Sequence, residues 1–250
     1  MMGEELGLSN MSSIVGLLVR RQLESPEDPG QLAPRSQTLT PDGMTDSWSY
    51  AKFGKRAFDI TAGLLLLFLF APAILFLGLL VASDGGRPFI SLRRLGRDGN
   101  HFACWKIRTM VADAEARLAQ ILAQDPEAAA EWARDQKLVE DPRVTRLGKA
   151  LRRTSLDELP QLWNVVRGDM SLVGPRPITD AEMVRYGDAG SYYISVRPGL
   201  TGLWQVQGRN SVSYDERVRL DVDYVSHLSF KCDLSILFRT VGAVLNRTGH

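Results

Sequence analysis

The chain has 250 residues, 44% hydrophobic and 24% charged, enough for one ordinary domain with attachments and a real core. With 30 Lys and Arg against 29 Asp and Glu the net charge is +1, so overall electrostatics give no reason to expect a nucleic-acid partner. The two cysteines, Cys104 and Cys232, match neither a metal knuckle nor a disulfide framework, which excludes a small secreted scaffold.

Residues 1–47 read as a disordered tail, since Pro26, Pro29, Pro34 and Pro41 punctuate a stretch of low apolar content; only 11–21 suggests a weak surface helix. Residues 60–82 are 23 consecutive residues without a charge. As a helix they would reach roughly 35 Å, enough for a bilayer core. Pro72 removes an amide donor near the middle and predicts a break into helices of about 12 and 10 residues. Both flanks are basic, with Lys52, Lys55 and Arg56 before the run and Arg87, Arg93, Arg94 and Arg97 after it. Positive charge favours the cytoplasmic side, and here both ends make that claim. A re-entrant helix broken at Pro72 satisfies both ends; a single span is the alternative. The membrane-associated region is therefore 48–86, and 87–250 form a cytoplasmic domain.

In that domain, 89–92 and 101–105 read as a hairpin-like pair around the favourable turn Asp98-Gly99. Residues 111–132 are helical with an interruption near Pro126, on an acidic and solvated arm. The sign then reverses at Arg143, Arg146, Lys149, Arg152 and Arg153, with Leu147 and Leu151 on one helical face. Ser155 and Glu158 have the spacing of a capping box, which would place Asp157 and Glu158 in the first turn of a helix carrying Leu159, Leu162, Trp163 and Val166. Arg176 is held between Pro175 and Pro177, a preset backbone suited to a bidentate phosphate contact. Thr179 with Glu182 and Ser213 with Glu216 are two further capping boxes. Residues 203–209 read as extended, and 233–246 as a helix that packs on the domain or rests at the membrane surface. No glycine-rich loop follows a strand in the context of a dinucleotide fold.

Taken together, Lys55-Arg56-Ala57-Phe58-Asp59, the apolar run, Lys106-Ile107-Arg108-Thr109-Met110 and Asp141-Pro142-Arg143 come in a recognisable order. They are followed by Arg152-Arg153-Thr154-Ser155-Leu156-Asp157-Glu158-Leu159-Pro160-Gln161 and by Gly174-Pro175-Arg176-Pro177. This set resembles the bacterial sugar transferase family, monotopic polyprenyl-phosphate phosphoglycosyl transferases, over about four-fifths of the chain. The resemblance implies a mainly helical α/β fold: a re-entrant helix, amphipathic helices at the membrane surface and a small cytoplasmic catalytic domain. It also implies transfer of hexose-1-phosphate, glucose or galactose, from a UDP-hexose to undecaprenyl phosphate at the cytoplasmic face of the bacterial inner membrane. UMP is released, and the product begins exopolysaccharide or O-antigen assembly.

On this resemblance Asp157 is the nucleophile, forming a covalent phosphosugar intermediate, and Glu158 its partner. Mg²⁺ is the cofactor, with Asp157 and Asp169 as ligands. Lys106 and Arg176 are expected to contact phosphate, and Arg108, Arg153 and Arg209 to contact phosphate or nucleotide, with salt-bridge roles as the alternative for these three. A homodimer is compatible with the resemblance. Leu92 stands where the family pattern has Gln, and Ile107 where it has an aromatic residue. The chain lacks the extra membrane helices of the large members and so resembles the compact form. Two other readings fit the residues: a membrane-attached glycosyltransferase that moves only the sugar and releases UDP, and a non-catalytic membrane assembly factor.

Overall fold

The computed structural model describes residues 50–135, 138–207 and 212–245. The tail expected at 1–47 lies outside them, as does Arg209. A π-helical turn, Tyr50–Gly54, leads into α1, Lys55–Ala82. The hairpin follows: β1 (Phe89–Leu95) pairs antiparallel with β2 (His101–Ile107). Asp98 and Gly99 both take left-handed φ, 58° and 75°, the geometry that a tight hairpin turn requires. Helices α2 (Ala114–Gln124) and α3 (Pro126–Asp135) form the acidic arm, interrupted where Pro126 was expected to interrupt it.

Next come α4 (Arg146–Thr154), a 3₁₀ turn at Leu156–Glu158, α5 (Gln161–Arg167) and β3 (Ser171–Val173). The chain continues through α6 (Asp180–Met183), α7 (Gly190–Ser195) and β4 (Gly199–Thr201), which pairs parallel with β3. It ends in α8 (Leu203–Gln207), α9 (Tyr214–Ser226) and α10 (Phe230–Leu245). The segment expected to be extended from 203 is thus helical, because Leu203 and Trp204 turn into the main core. That core joins Leu162, Val165, Met170, Leu172, Trp204, Tyr224 and Ile236.

α1 is one helix of 28 residues, roughly 42 Å long, with Pro72 inside it. The expected division into two helices is corrected. Proline deletes a single donor, and further unwinding in an apolar medium would strand more backbone groups without partners. One stripe of α1 lies against the rest of the protein. Asp59, Gly63, Ile74, Gly78 and Val81 are buried, Leu66 and Phe70 pack on the main core, and Leu77 packs on a cluster of Val81, Ile107 and Leu151. Ile107, in place of an aromatic residue, fills that cluster. The opposite stripe is bare: Phe68 is 83% exposed and Leu79 73%. So large an apolar face suits hydrocarbon and not water.

Polar contacts tie both ends of α1 to the same unit. Lys55 Nζ donates to Asp233 at 2.6 Å and to the Val173 carbonyl at 2.9 Å. Asp233, fully buried, also accepts from the hydroxyls of Tyr50 and Tyr224. Arg56 donates to the carbonyls of Val165 and Val166 at the end of α5, and Asp59 accepts from the Leu172 amide and the Ser171 hydroxyl. At the far end, Arg108 donates to the Val81 carbonyl and the Asp84 carboxylate. A span would carry its last turn across the bilayer, away from the domain; this one is held by the domain. The protein is monotopic, a mainly helical α/β unit with one long apolar helix.

Because Lys55 is buried and depends on Asp233, truncating the acid leaves a cation without compensation. Asp233→Ala is expected to lower unfolding stability by about 3–5 kcal/mol, measured by denaturation of the detergent-solubilised protein. An unchanged midpoint would show that this contact does not hold the helix.

Candidate active site

Asp157 and Glu158 occupy a turn, not a helix start. α4 ends at Ser155 in the left-handed conformation, with φ at 57°, and its side chain makes no cap. The expected capping box at Ser155 and Glu158 is therefore absent, and α5 begins only after Pro160. Released from a capping role, Glu158 accepts from Lys106 Nζ at 2.6 Å. The same ammonium lies 3.7 Å from Asp157, whose residue is 7% exposed.

Asn164 fixes this meeting of β2 with the turn. It is fully buried; its Oδ1 accepts from the Trp105 amide, and its Nδ2 donates to the Ala103 carbonyl and to Asp169. The strand carrying Lys106 is thereby clipped to the helix that follows the acidic pair. α4 is set by a second close approach: a Cβ on Gly148 would come within 2.0 Å of the Thr109 carbonyl oxygen. Only glycine lets α4 lie this near the end of β2, where Arg152 Nε donates to the Thr109 hydroxyl.

The two carboxylates are driven apart electrostatically. Burial pushes Asp157 above the ordinary carboxylate range; Lys106 opposes this, Glu158 adds to it and Arg152 opposes it. For Glu158, burial also pushes upward, but Lys106, Arg176 and Arg94 outweigh it and hold the group below its usual value. One acid is thus poorly stabilised as an anion, while its neighbour is firmly ionised. Such a divergence within one pair of acids marks sites of chemistry.

Glu158 and Lys106 line a solvent-open cleft of about 310 Å³ together with Arg94, Arg176, Gln161 and Gln205. Arg176 is exposed, with Trp204 as its ring neighbour at 5.9 Å. Its loop is positioned by glycine interlocking, since a Cβ on Gly199 would come within 2.1 Å of the Gly174 amide nitrogen. Gly174 N donates to the Thr201 carbonyl and Gly199 N to that of Pro175. An open cleft walled by three cations suits a polyanion such as a diphosphate.

Of the residues singled out in sequence, Glu158, Lys106 and Arg176 line the cleft, and Asp157 lies beside it, 3.7 Å from Lys106. Arg108 takes the salt-bridge alternative: buried, it pairs with Asp84 and donates to the carbonyls of Arg87, Met110 and Val81, so its guanidinium braces the end of α1. Arg153 is exposed and does not line the cleft; its neighbour Arg152 is the cation felt by Asp157. Asp169 is engaged by Asn164 and lies 3.5 Å from Arg167, and it forms no cluster with Asp157 and Glu158 among the described residues. Arg94, Arg152, Gln161 and Asn164 were missed. Arg94 alone had a local signal, lying two residues beyond Leu92 on the strand face that pairs with Cys104 of the cleft.

Residues 50–247 match the family described as bacterial sugar transferase. The chain is 52% identical over 199 residues to a UDP-galactose-lipid carrier transferase of Erwinia amylovora, covering 80% of this chain and 42% of the relative. It is 49% identical, with the same shares, to an undecaprenyl-phosphate galactose phosphotransferase of Salmonella typhimurium. With the exopolysaccharide production protein ExoY of Rhizobium meliloti it shares 48% identity over 191 residues, 76% of this chain and 84% of that one. The chain thus spans about two-fifths of the length of the first two relatives and most of the third. With its family signature spread across the anchor, the acidic turn and the arginine loop, the chain belongs to the bacterial sugar transferases.

Proposed function

We propose that the chain transfers hexose-1-phosphate from a UDP-hexose to undecaprenyl phosphate and releases UMP. The reaction would take place at the cytoplasmic face of the bacterial inner membrane and begin exopolysaccharide or O-antigen assembly. The observation that carries this reading is the acidic pair, both members within reach of Lys106 beside a cationic cleft and shifted in opposite directions by their surroundings, on a unit fastened along an apolar helix. The relatives' names speak for the same donor and acceptor classes, and two of them name galactose.

In the proposed mechanism Lys106, Arg94 and Arg176 hold the diphosphate and reduce the repulsion met by an approaching carboxylate. Asp157, the less stabilised anion, attacks the phosphorus bonded to the sugar. An oxygen–phosphorus bond forms to its carboxylate as the bond to the bridging oxygen breaks, and UMP departs with that oxygen and its electron pair. An oxygen of the lipid phosphate then attacks the same phosphorus, the bond to Asp157 breaks, and the carboxylate is regenerated. Burial of Asp157 keeps water from the intermediate.

Glu158, ionised and facing the cleft, is suited to hold Mg²⁺ with Asp157. Two carboxylates completed by phosphate and water are a common magnesium set. When bound, Mg²⁺ supplies charge neutralisation on the phosphate oxygens. Asp169 is spoken for by Asn164 and Arg167 and has no place in that set.

With donor labelled in the β-phosphate, label is expected in the lipid product, and Asp157→Asn is expected to abolish the transfer; label recovered in UDP would reject the reading in favour of simple glycosyl transfer. Arg176→Ala is expected to reduce kcat/KM by roughly 10²-fold or more through loss of one oxyanion contact. Arg153→Ala should stay within about threefold of wild type, because its side chain is solvated away from the cleft. Equal losses in the two variants would undo this assignment of the arginines.

A further inference from the structure

Gln161 lines the cleft but has no part in the proposed chemistry. Gln161, the first residue of α5, is 3% exposed and lines the cleft with Glu158 and Lys106. Its side-chain amide has no hydrogen-bond partner among the described residues and is not sealed from solvent. Asn164, on the same helix, shows the contrast, with three partners for a fully buried amide. An amide that reaches a binding cleft without a protein partner is positioned to pair with a ligand group.

The identity of that group follows from hydrogen-bond chemistry. Lysine and arginine only donate, and ionised carboxylates only accept; together they serve the phosphates and the metal. A primary amide both donates and accepts, matching a hydroxyl, which does the same. Gln161 lies three residues beyond Glu158 and lines the same cleft, into which the proposed reaction brings the phosphorus. On a hexose-1-phosphate the hydroxyl nearest that phosphorus is the one on C2.

We propose that Gln161 hydrogen-bonds the C2 hydroxyl of the donor hexose, positions the sugar for transfer and selects donors bearing a free hydroxyl there. This rests on the proposed reaction and adds the sugar contact to it. A site that hydrogen-bonds a hydroxyl discriminates strongly against an analogue without it, because its own polar group is then left unpaired.

The test uses the full chain in detergent or nanodiscs, with the UDP-hexose it turns over and the matching UDP-2-deoxyhexose. Wild type is expected to lose about 10- to 100-fold in kcat/KM on the deoxy donor. Gln161→Met, close in shape and apolar, is expected to lose a similar factor on the parent donor and to treat the two donors within about threefold. Its melting temperature should equal or exceed that of wild type, since no internal hydrogen bond is removed. A variant that keeps the wild-type preference for the 2-hydroxyl overturns the proposal, as does one changed only in KM for undecaprenyl phosphate. A lower melting temperature with equal loss on both donors also overturns it and makes Gln161 structural. Failure of the underlying reaction is distinct: label from the β-phosphate would then reach the lipid with neither protein.

Discussion

The buried contact between Lys55 and Asp233 is the constraint from which the rest of the arrangement follows. A long apolar helix has no intrinsic reason to stay beside a polar domain in a bilayer, because lipid chains solvate it as well as protein does. Here its first turn is fastened by a charge pair that Tyr50 and Tyr224 complete, by Arg56 on the end of α5 and by Asp59 on β3. Its last turn is fastened by Arg108. The elements gripped at the first turn, α5 and β3, directly flank the acidic turn and the arginine loop. The apolar helix and the elements that carry the acidic turn and the arginine loop are in this way one piece of structure.

Within that frame, a single lysine separates the roles of two adjacent acids. Lys106 bonds to Glu158 and stands further from Asp157, so it stabilises one anion more than the other. Burial then acts on Asp157 with less opposition. The asymmetry depends on the strand being clipped to α5 through Asn164, which makes an uncharged residue as necessary to the electrostatics as the charged ones. The glycine contacts at Gly148 and Gly199 do the same for α4 and the Arg176 loop, through backbone approach that any side chain would block.

Local patterns in the sequence were legible where the structure that decides them is local. The turn at Asp98-Gly99 and the capping box of Thr179 and Glu182 form as expected, and at Ser213 half of the box forms while Glu216 turns to Arg219 instead. The Ser155 box failed because a partner distant in sequence, Lys106, competes for Glu158. Residues 203–207 were misread as extended because the core, and not alternation, sets their conformation. Pro72 does not divide the helix, since the cost of one missing donor is smaller than the cost of a break in lipid. Arg108, Arg153 and Arg152 show the main limit: sequence reports a cation, while its partner is fixed by tertiary contacts. The family resemblance located the acidic turn and Arg176, but not which arginine braces the helix.

The central claim, that both ends of α1 remain on one side with the catalytic unit, is tested most directly by side-specific labelling. Single cysteines at Ala51 and Ser83, both exposed, would be introduced after replacing Cys104 and Cys232. They would then be challenged with a membrane-impermeant maleimide in intact spheroplasts and in inverted vesicles. The account predicts that both sites label only in inverted vesicles; labelling of Ser83→Cys in spheroplasts, with Ala51→Cys protected, would establish a true span and contradict it.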